Sequence, residues 1–250
     1  MSTVMLPNVD GQTVVAKTYS NARKLVQIGD LPVGVFTYGL GNLGPRTIYS
    51  HILEYGRTIP GTDSGQDWNV DQIAFGLSGH IGQEYSAIYD ESEIRPDLGL
   101  HVAGFSKGSA LPEEWAIEFP DPGSPVLCMG RDDVGIKWEG IELPFARLFY
   151  GYDARLLQAL QSAGVSPLVI QGVLEESSLT PQVLFEAMPL QDAINFVVYV
   201  LQTTIGFTLF ETGPSLCGGQ LQIAVLSGET RFQWVSKPEF RIPGGSYEWA

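Results

Sequence analysis

The order of strand-like and helix-like patterns is the feature that most constrains the fold of this chain. In chain order the patterns are strands at 12–17, 24–28 and 33–38, helices at 45–55 and 71–89, strands LGLHVAGF, EEWAIEF and PVLCM, helices at 153–163, 167–175 and 190–209, and strands LQIAVL and RFQWV. Runs of strands separated from runs of helices indicate an α+β fold, whereas a doubly wound parallel sheet alternates the two strictly. Because the strands suffice for two sheets and the helices suffice to cover both, we expect a four-layer αββα sandwich with two stacked antiparallel sheets.

Length and composition predict one soluble domain. The 29 Gly and 16 Pro are scattered along the 250 residues instead of forming a linker, so we expect a single domain over 1–250. No run is expected to reach the apolar length of a membrane span, and the N-terminus lacks the basic-then-apolar order of a secretory signal. The two cysteines are isolated in sequence, which suits a reducing compartment. We therefore expect a cytoplasmic protein without a membrane partner.

The charge of the chain argues against one class of partner. Its 28 acidic side chains outnumber the 14 basic ones and give a formal net charge of -14. Since affinity for nucleic acid and anionic lipid comes largely from Lys and Arg, we expect no nucleic-acid partner. The acidic excess indicates a solvated outer surface, because net charge reports on solubility and association and not on fold.

A glycine motif, GLGNLG at 39–44, matches the dinucleotide-binding pattern G-x-G-x-x-G and lies between a predicted strand and a predicted helix. That fingerprint belongs to the first strand of a βαβ unit and is followed by an acidic residue about 20 positions later. Here the strand before the motif follows other strands at short connections, and one predicted helix leads into another. We therefore interpret the glycines as a tight turn and expect no cofactor. A nucleotide-binding enzyme, the competing hypothesis, would require a parallel sheet.

Residues that could bind a metal ion are sparse in the sequence. His80 and Glu84 lie four residues apart on the predicted helix 71–89 and could share an ion, but two ligands do not make a site. The other histidines, His51 and His101, are isolated, so a Ser-His-Asp triad would need distant partners. The sequence therefore predicts no metal site.

Four stretches follow one another in an informative order: DGQTVVAKT, ARKLVQIGDLPVGVFTYGLG, LHVAGFSKGSALPEEWAIEFPDPG and LCGGQLQIAVLSGE. They resemble four parts of the proteasome family: a turn with the second strand, a lysine-bearing strand that leads to a glycine-rich helix entry, a hairpin with an "AG" strand, and a closing glycine pair with its strand. Members of that family are N-terminal-nucleophile hydrolases that assemble into stacked rings. The resemblance covers most of the chain in element order.

This resemblance implies a nucleophile and a residue that tunes it. The strand-like start MSTVMLP places Ser2 at the family's nucleophile position once Met1 is removed, and Lys24 matches the family's strand-borne lysine. A hydroxyl needs a base, and the family uses the free α-amine of the same residue, whose reference pKa is about 8. The resemblance thus implies a peptidase that cuts peptides or unfolded protein inside a homo-oligomeric ring or double ring, with Ser2 and Lys24 as catalytic residues.

Two departures from the family pattern favour a second hypothesis. Thr18 stands where the family carries an acidic residue at the end of its second strand. The loop MGRDDVG lacks the small serine-and-glycine pattern that supports the nucleophile's amine. The alternative is a non-catalytic relative that keeps the fold for assembly or binding. Thr3 could replace Ser2 as the nucleophile only after further trimming.

Overall fold

The structure, a computed structural model, describes residues 2–7, 13–19, 21–64, 66–90, 95–120, 124–177, 183–213, 216–228 and 231–239, with the backbone alone at 2–7 and 13–18. The chain divides into two compact units. The sheet unit comprises chiefly Tyr19–Cys128 and the chain from Gly219 onward, and the helical unit comprises chiefly Thr3–Thr18 and Met129–Gly218. The expectation of a single domain over the whole chain stays a prediction.

The described elements are strands, α-helices and one short 3-10 turn. The strands are β1 (Ser2–Pro7), β2 (Thr13–Tyr19), β3 (Leu25–Gln27), β4 (Val33–Gly39), β5 (Asn42–Leu43), β6 (Arg46–Thr47), β7 (Leu98–Gly104), β8 (Glu113–Phe119), β9 (Val126–Met129), β10 (Ile223–Ser227) and β11 (Arg231–Ser236). The helices are α1 (Ile48–Gly56), α2 (Val70–Tyr89), α3 (Leu143–Tyr150), α4 (Ala154–Ser162), α5 (Pro167–Ser177) and α6 (Leu190–Phe210), and the 3-10 turn is Thr62–Ser64.

A five-stranded antiparallel sheet with the strand order β3-β4-β7-β8-β9 is the centre of the sheet unit. Strand β4 pairs antiparallel with β3 and β7, and β7 pairs antiparallel with β8. In this register Val35 lies opposite Val102, and Leu100 lies opposite Ile117, so apolar residues of neighbouring strands share one face. The sheet and its helices confirm a mixed fold built on antiparallel strands.

The two faces of this sheet carry different layers. Val33 and Val35 of β4 are fully buried in a core that also contains residues of α1 and α2. Gly34 lies between them, so a side chain at this position would be on the opposite face of the sheet. A Cβ at Gly34 would lie 3.0 Å from a ring carbon of Phe232 on the β10–β11 hairpin. The hairpin therefore packs on the face away from the helices, and the sheet unit has three layers.

Helix α2 confirms the prediction at 71–89 almost residue for residue. Its buried line runs through Ile73, Leu77, Ile81 and Tyr85, and these four residues are at most 2% exposed, as the spacing predicts. The same spacing of three or four residues predicts that Ile88 shares this stripe, but Ile88 is 40% exposed in the last turn. The apolar stripe therefore ends one turn before the helix does.

The predicted helix at 45–55 begins three residues late. Pro45 lies in the turn between β5 and β6, and α1 starts at Ile48. Thr47 is the N-cap, and its hydroxyl oxygen accepts a hydrogen bond of 3.2 Å from the amide of Ser50. A threonine oxygen satisfies one of the open amides of the first turn, so the cap sets the helix start and the proline does not.

Helices α3 and α6 of the helical unit pack through aromatic rings. The ring centroid of Phe145 on α3 lies 6.2 Å from that of Phe196 and 6.3 Å from that of Tyr199, both on α6. The sequence did not predict α3, because LPFARLFY is a short apolar run that is equally typical of a strand. Helices α4 and α5 confirm the patterns at 153–163 and 167–175 to within two residues.

Helix α6 corrects two expectations. With 21 residues and Asp192 as its only charge, it has the length and apolar composition of a membrane span, so the expectation that no run reaches that length is wrong. A single helix of this length and composition is weak support for a membrane. The spacing of the sequence predicts one buried stripe of Ile194, Val197, Val198, Leu201 and Ile205, and this is wrong in part. Val197 is 41% exposed and the other four are half-buried, whereas the buried residues are Val200, Thr204 and Thr208. The Thr208 hydroxyl donates to the Thr204 carbonyl at 3.0 Å, which makes its burial possible.

Candidate functional site

Lys24 lies directly before β3, where a glutamine side chain holds the backbone. Oε1 of Gln222 accepts hydrogen bonds from the amides of Lys24 at 2.9 Å and Leu25 at 3.1 Å. Nε2 of the same side chain donates to the Ala22 carbonyl at 2.7 Å. The Lys24 carbonyl accepts a hydrogen bond of 2.9 Å from the Thr37 amide of β4. The backbone around Lys24 is therefore held on one side by Gln222 and on the other by β4.

The side chain of Lys24 is half-buried and makes no ion pair with a described residue. Its Nζ donates to the Gly39 carbonyl at 3.1 Å. Within the described part of the chain, no carboxylate lies within ion-pair distance of this ammonium. Burial lowers the pKa of Lys24, because desolvation disfavours the charged form. A lysine with these properties is typical of sites where an amine or its charge takes part in chemistry.

Gly39 supplies the acceptor for Lys24 at a position that only glycine fits. Its φ is +72°, and an added Cβ would overlap the carbonyl oxygen of Asp97. That oxygen accepts a hydrogen bond of 2.9 Å from the Leu40 amide, so two chain segments cross closely here. This confirms the close crossing of two backbone segments expected at the first glycine, which is the last residue of β4. Because β4 is antiparallel to both neighbours, the described strands do not offer the parallel sheet that the nucleotide hypothesis requires.

Ser2 is the first residue of β1, which pairs with β2 in a two-stranded sheet. The strand-like start predicted from the sequence is thus confirmed for the backbone. The side chains of Ser2, Thr3 and Thr18 lie outside the described part of the chain, as does Met1. The pairing of Ser2 with Lys24, and the effect of Thr18, therefore stay predictions.

A cluster of polar side chains joins β7, β8 and β9 of the sheet. Nδ1 of His101 is 2.5 Å from Oε1 of Glu114, and Sγ of Cys128 lies 3.9 Å from the same nitrogen. The His101 ring stacks on Phe36 with a centroid distance of 4.5 Å. The short hydrogen bond and the stacking together fix the imidazole within the sheet. The sequence left His101 isolated, because its partners lie 13 and 27 residues away along the chain.

Another cluster lies between α1 and α2. His51 is 1% exposed, and its ring centroid is 6.2 Å from that of His80. Ligand atoms of His51, Glu54 and His80 all lie within 4.8 Å of one another. The structure therefore groups His80 with these two residues, whereas the sequence had suggested Glu84. Burial lowers the pKa of His51, because desolvation disfavours the charged imidazolium.

Comparisons with known proteins give no relative for this chain. No model of a protein family matches it, and no curated protein matches it at a significant level. The resemblance to the proteasome family therefore rests on the order of the sequence motifs.

Proposed function

We propose that this protein is a cytoplasmic, ring-forming, proteasome-like peptidase in which Ser2, exposed by removal of Met1, is the nucleophile and Lys24 tunes it. The state of Lys24 carries the proposal. Its ammonium is half-buried, has a lowered pKa and has no carboxylate partner among the described residues. A positive charge held in this way is what a nucleophile with an amine base requires nearby.

The proposed fold is the four-layer αββα sandwich. The sheet unit supplies three layers: helices α1 and α2, the five-stranded sheet, and the β10–β11 hairpin on the other face. In the proposed fold this hairpin belongs to the second stacked sheet, which a further helix layer covers. The approach of Phe232 to Gly34 supports the proposal, because it marks the face on which a second sheet would stack.

The proposed chemistry uses the two functional groups of Ser2 together. Its free α-amine accepts the proton of its hydroxyl while that oxygen attacks a peptide carbonyl. An ester to Ser2 forms, the amine half of the peptide leaves with the proton, and water then hydrolyses the ester. The ammonium of Lys24 lowers the pKa of the amine and of the hydroxyl and stabilises the developing oxyanion.

Self-association into a ring or double ring is part of the same proposal. Large apolar side chains are exposed on helices of the helical unit: Leu168 on α5 is 82% exposed, and Phe210 at the end of α6 is 87% exposed. Exposed apolar surface of this kind is typical of subunit interfaces. Light scattering at micromolar concentration and physiological salt should give an oligomer mass, and a monomer mass would reject the ring.

One observation favours the non-catalytic alternative. Thr18 stands at the position of the family's acidic residue and cannot accept a proton as a carboxylate does. A chain that lacks this group could keep the fold for assembly or binding and cut nothing. Both hypotheses share the fold and the ring, so only activity separates them.

The test is peptide hydrolysis by untagged protein whose loss of Met1 has been shown by intact mass. Ser2→Ala keeps a free α-amine but removes the nucleophile, so activity should vanish while assembly remains. Lys24→Ala should reduce activity almost as much. When catalytic groups act as a unit, removing one of them lowers the rate about as much as removing all of them. Lys137→Ala is the matched control, since Lys137 is exposed, and it should retain wild-type activity.

The outcomes separate the hypotheses. Activity that persists in Ser2→Ala would place the nucleophile elsewhere. Inactive protein that lacks Met1 and still forms the oligomer would support the non-catalytic alternative. In that case Thr18→Asp tests whether the missing carboxylate is the cause, because it restores an acidic residue at the family's position.

A further inference from the structure

We propose that His51, Glu54 and His80 form a binding site for a transition-metal ion of the Zn²⁺ class between α1 and α2. The site involves neither Ser2 nor Lys24, and the inference does not depend on the proposed peptidase activity.

The three ligands converge from two helices. His51 and Glu54 are three residues apart on α1 and therefore lie on one face of that helix, and His80 comes from α2. One ligand atom from each lies within 4.8 Å of the others. In a tetrahedral zinc site with bonds of about 2.0–2.2 Å, ligand atoms are roughly 3.4 Å apart. Small rotations of these side chains would therefore close the site around an ion.

Three ring nitrogens at this site are buried without a hydrogen bond of ordinary geometry to the described residues. His51 is 1% exposed, and the backbone of Leu43 approaches its ring, but neither ring nitrogen makes a hydrogen bond of ordinary geometry with a described residue. Nε2 of His80 is also buried without a described partner. Buried polar atoms are nearly always paired, so such atoms meeting at one place point to a missing ligand. A metal ion accepts a lone pair from one nitrogen of each ring.

The donor set selects the class of ion. Two imidazoles and one carboxylate suit Zn²⁺ and its neighbours, whereas Ca²⁺ and Mg²⁺ prefer oxygen ligands throughout. Three protein ligands leave a fourth position for water. The Glu54 side chain is 49% exposed, which opens the site to solvent and lets an ion enter. Nη2 of Arg46 lies 2.5 Å from Oε2 of Glu54, so it orients the carboxylate and leaves the other oxygen available.

The cluster of His101, Glu114 and Cys128 also contains metal-binding residue types. There, however, Nδ1 of His101 is already engaged with the Glu114 carboxylate at 2.5 Å. An ion bound through Nδ1 of His101 together with Glu114 would have to break that short hydrogen bond. This difference assigns the ion to the site between α1 and α2.

The test is zinc binding by the untagged full chain after treatment with a chelator and desalting. Elemental analysis after gel filtration with added Zn²⁺ should give one ion per chain, and Co²⁺ in its place should give the visible absorption of a four-coordinate site. His80→Gln should weaken Zn²⁺ binding by more than about 100-fold, since even residues that only orient a ligand cost about 10–100-fold. Glu54→Gln changes an exposed side chain, should fold normally, and should weaken binding by about tenfold or more.

Cys128→Ser is the matched control, because it removes a ligand type from the other cluster and should bind Zn²⁺ as the wild type does. Circular dichroism checks that each variant is folded. If His80→Gln does not fold, the Zn²⁺ affinity of Glu54→Gln alone tests the site. The proposal is overturned if the wild-type chain retains no Zn²⁺, or if Glu54→Gln binds it as tightly as the wild type. It is equally overturned if Cys128→Ser abolishes binding, because that result assigns the ion to the other cluster.

Discussion

The sheet unit and the helical unit differ in how completely they bury their apolar side chains. One continuous core in the sheet unit runs from Val26 to Phe119 and includes residues of α1 and α2 and of five strands, β3, β4, β5, β7 and β8. Among the described residues of the helical unit, the buried hydrophobic side chains are Phe145, Ile170 and Val200. Many of its other large apolar side chains are exposed, on α3, α4, α5 and α6.

This difference follows from the shapes of the elements. A sheet offers one flat apolar face that two amphipathic helices can cover. Helix α6 is apolar around most of its circumference, so neighbours on one side leave the rest uncovered. We therefore expect changes in the core of the sheet unit to alter stability and changes on the exposed helices to alter assembly.

The largest expected effect separates the two units by stability. Leu77→Ala removes a side chain of the sheet-unit core that is 0% exposed, and it should lower the free energy of unfolding by about 2–5 kcal/mol. Leu168→Ala in the helical unit changes a side chain that is 82% exposed in the single chain, and it should lower the unfolding free energy of the dissociated chain by no more than about 0.5 kcal/mol. Urea denaturation of both variants measures this. Equal losses would show that the two units are packed alike.

Alanine substitutions at two glycines compare how closely the backbone is packed in the two units. Gly39 in the sheet unit and Gly164 in the helical unit both have positive φ, +72° and +85°. Alanine at either position costs about 1–2 kcal/mol for the left-handed conformation. At Gly39 the new Cβ also overlaps the Asp97 carbonyl, which adds about 1–3 kcal/mol, whereas nothing lies within 4 Å at Gly164. Melting temperatures should therefore fall further for Gly39→Ala, and the reverse order would contradict the close chain crossing.

Alkaline pH should weaken the sheet unit through Tyr55. Burial raises the pKa of this phenol to about 12, and its hydroxyl donates to the Ile73 carbonyl at 3.0 Å. The unfolded chain loses the proton near pH 10 and the folded chain does not. The stability that Tyr55 contributes is thus complete below pH 10 and falls as the pH rises toward 12, by up to about 2 kcal/mol. Tyr55→Phe should flatten this part of the curve of unfolding free energy against pH, and an unchanged slope would reject the assignment.

Acid should weaken the helical unit through Asp153, and this is the smallest of the expected effects. Hydrogen bonds from Arg155 and Arg147 hold the pKa of this N-cap carboxyl well below its usual range. Its contribution is present above the ordinary pKa of about 3.9 and is lost as the pH falls through the lower value of the folded state. The hydrogen-exchange protection factors of the α4 amides, which are corrected for the intrinsic pH dependence of exchange, should fall on acidification in the wild type and change less in Asp153→Asn. Identical pH dependence in the two proteins would show that Asp153 does not cause the loss of stability in acid.

The sheet unit was more predictable than the helical unit, because periodicity defines its elements. The buried run of β4 that Gly39 closes, and the spacing of three or four residues along α2, were enough to predict both elements. Apolar residues occur on most sides of α6, so the spacing of the sequence does not identify the buried face. That face also includes Thr204 and Thr208, which a hydrophobic pattern counts as polar. Two residues could mark the start of α1, because Pro45 favours the first turn of a helix and Thr47 can cap one. The prediction placed the start at Pro45, whereas Thr47 is the N-cap and α1 begins at Ile48.

The candidate sites were predictable only where the residues are local. Lys24 could be placed beside a strand, but its support by Gln222 joins residues 198 positions apart. The contact of His51 with His80 requires two helices to pack, so no local pattern signals it. The spacing of His51 and Glu54 on one helical face is the signal that could have marked half of that cluster.

The central claim is that Ser2 acts with its own amine and with Lys24. Mass spectrometry tests it most directly, on untagged protein treated with an electrophile that reacts with the hydroxyl and the α-amine of one residue together. The account predicts an intact mass without Met1 and an adduct on the N-terminal peptide at Ser2, absent from Ser2→Ala, strongly reduced in Lys24→Ala and unchanged in Lys137→Ala. Retention of Met1, or an adduct that persists in Ser2→Ala, would contradict the account.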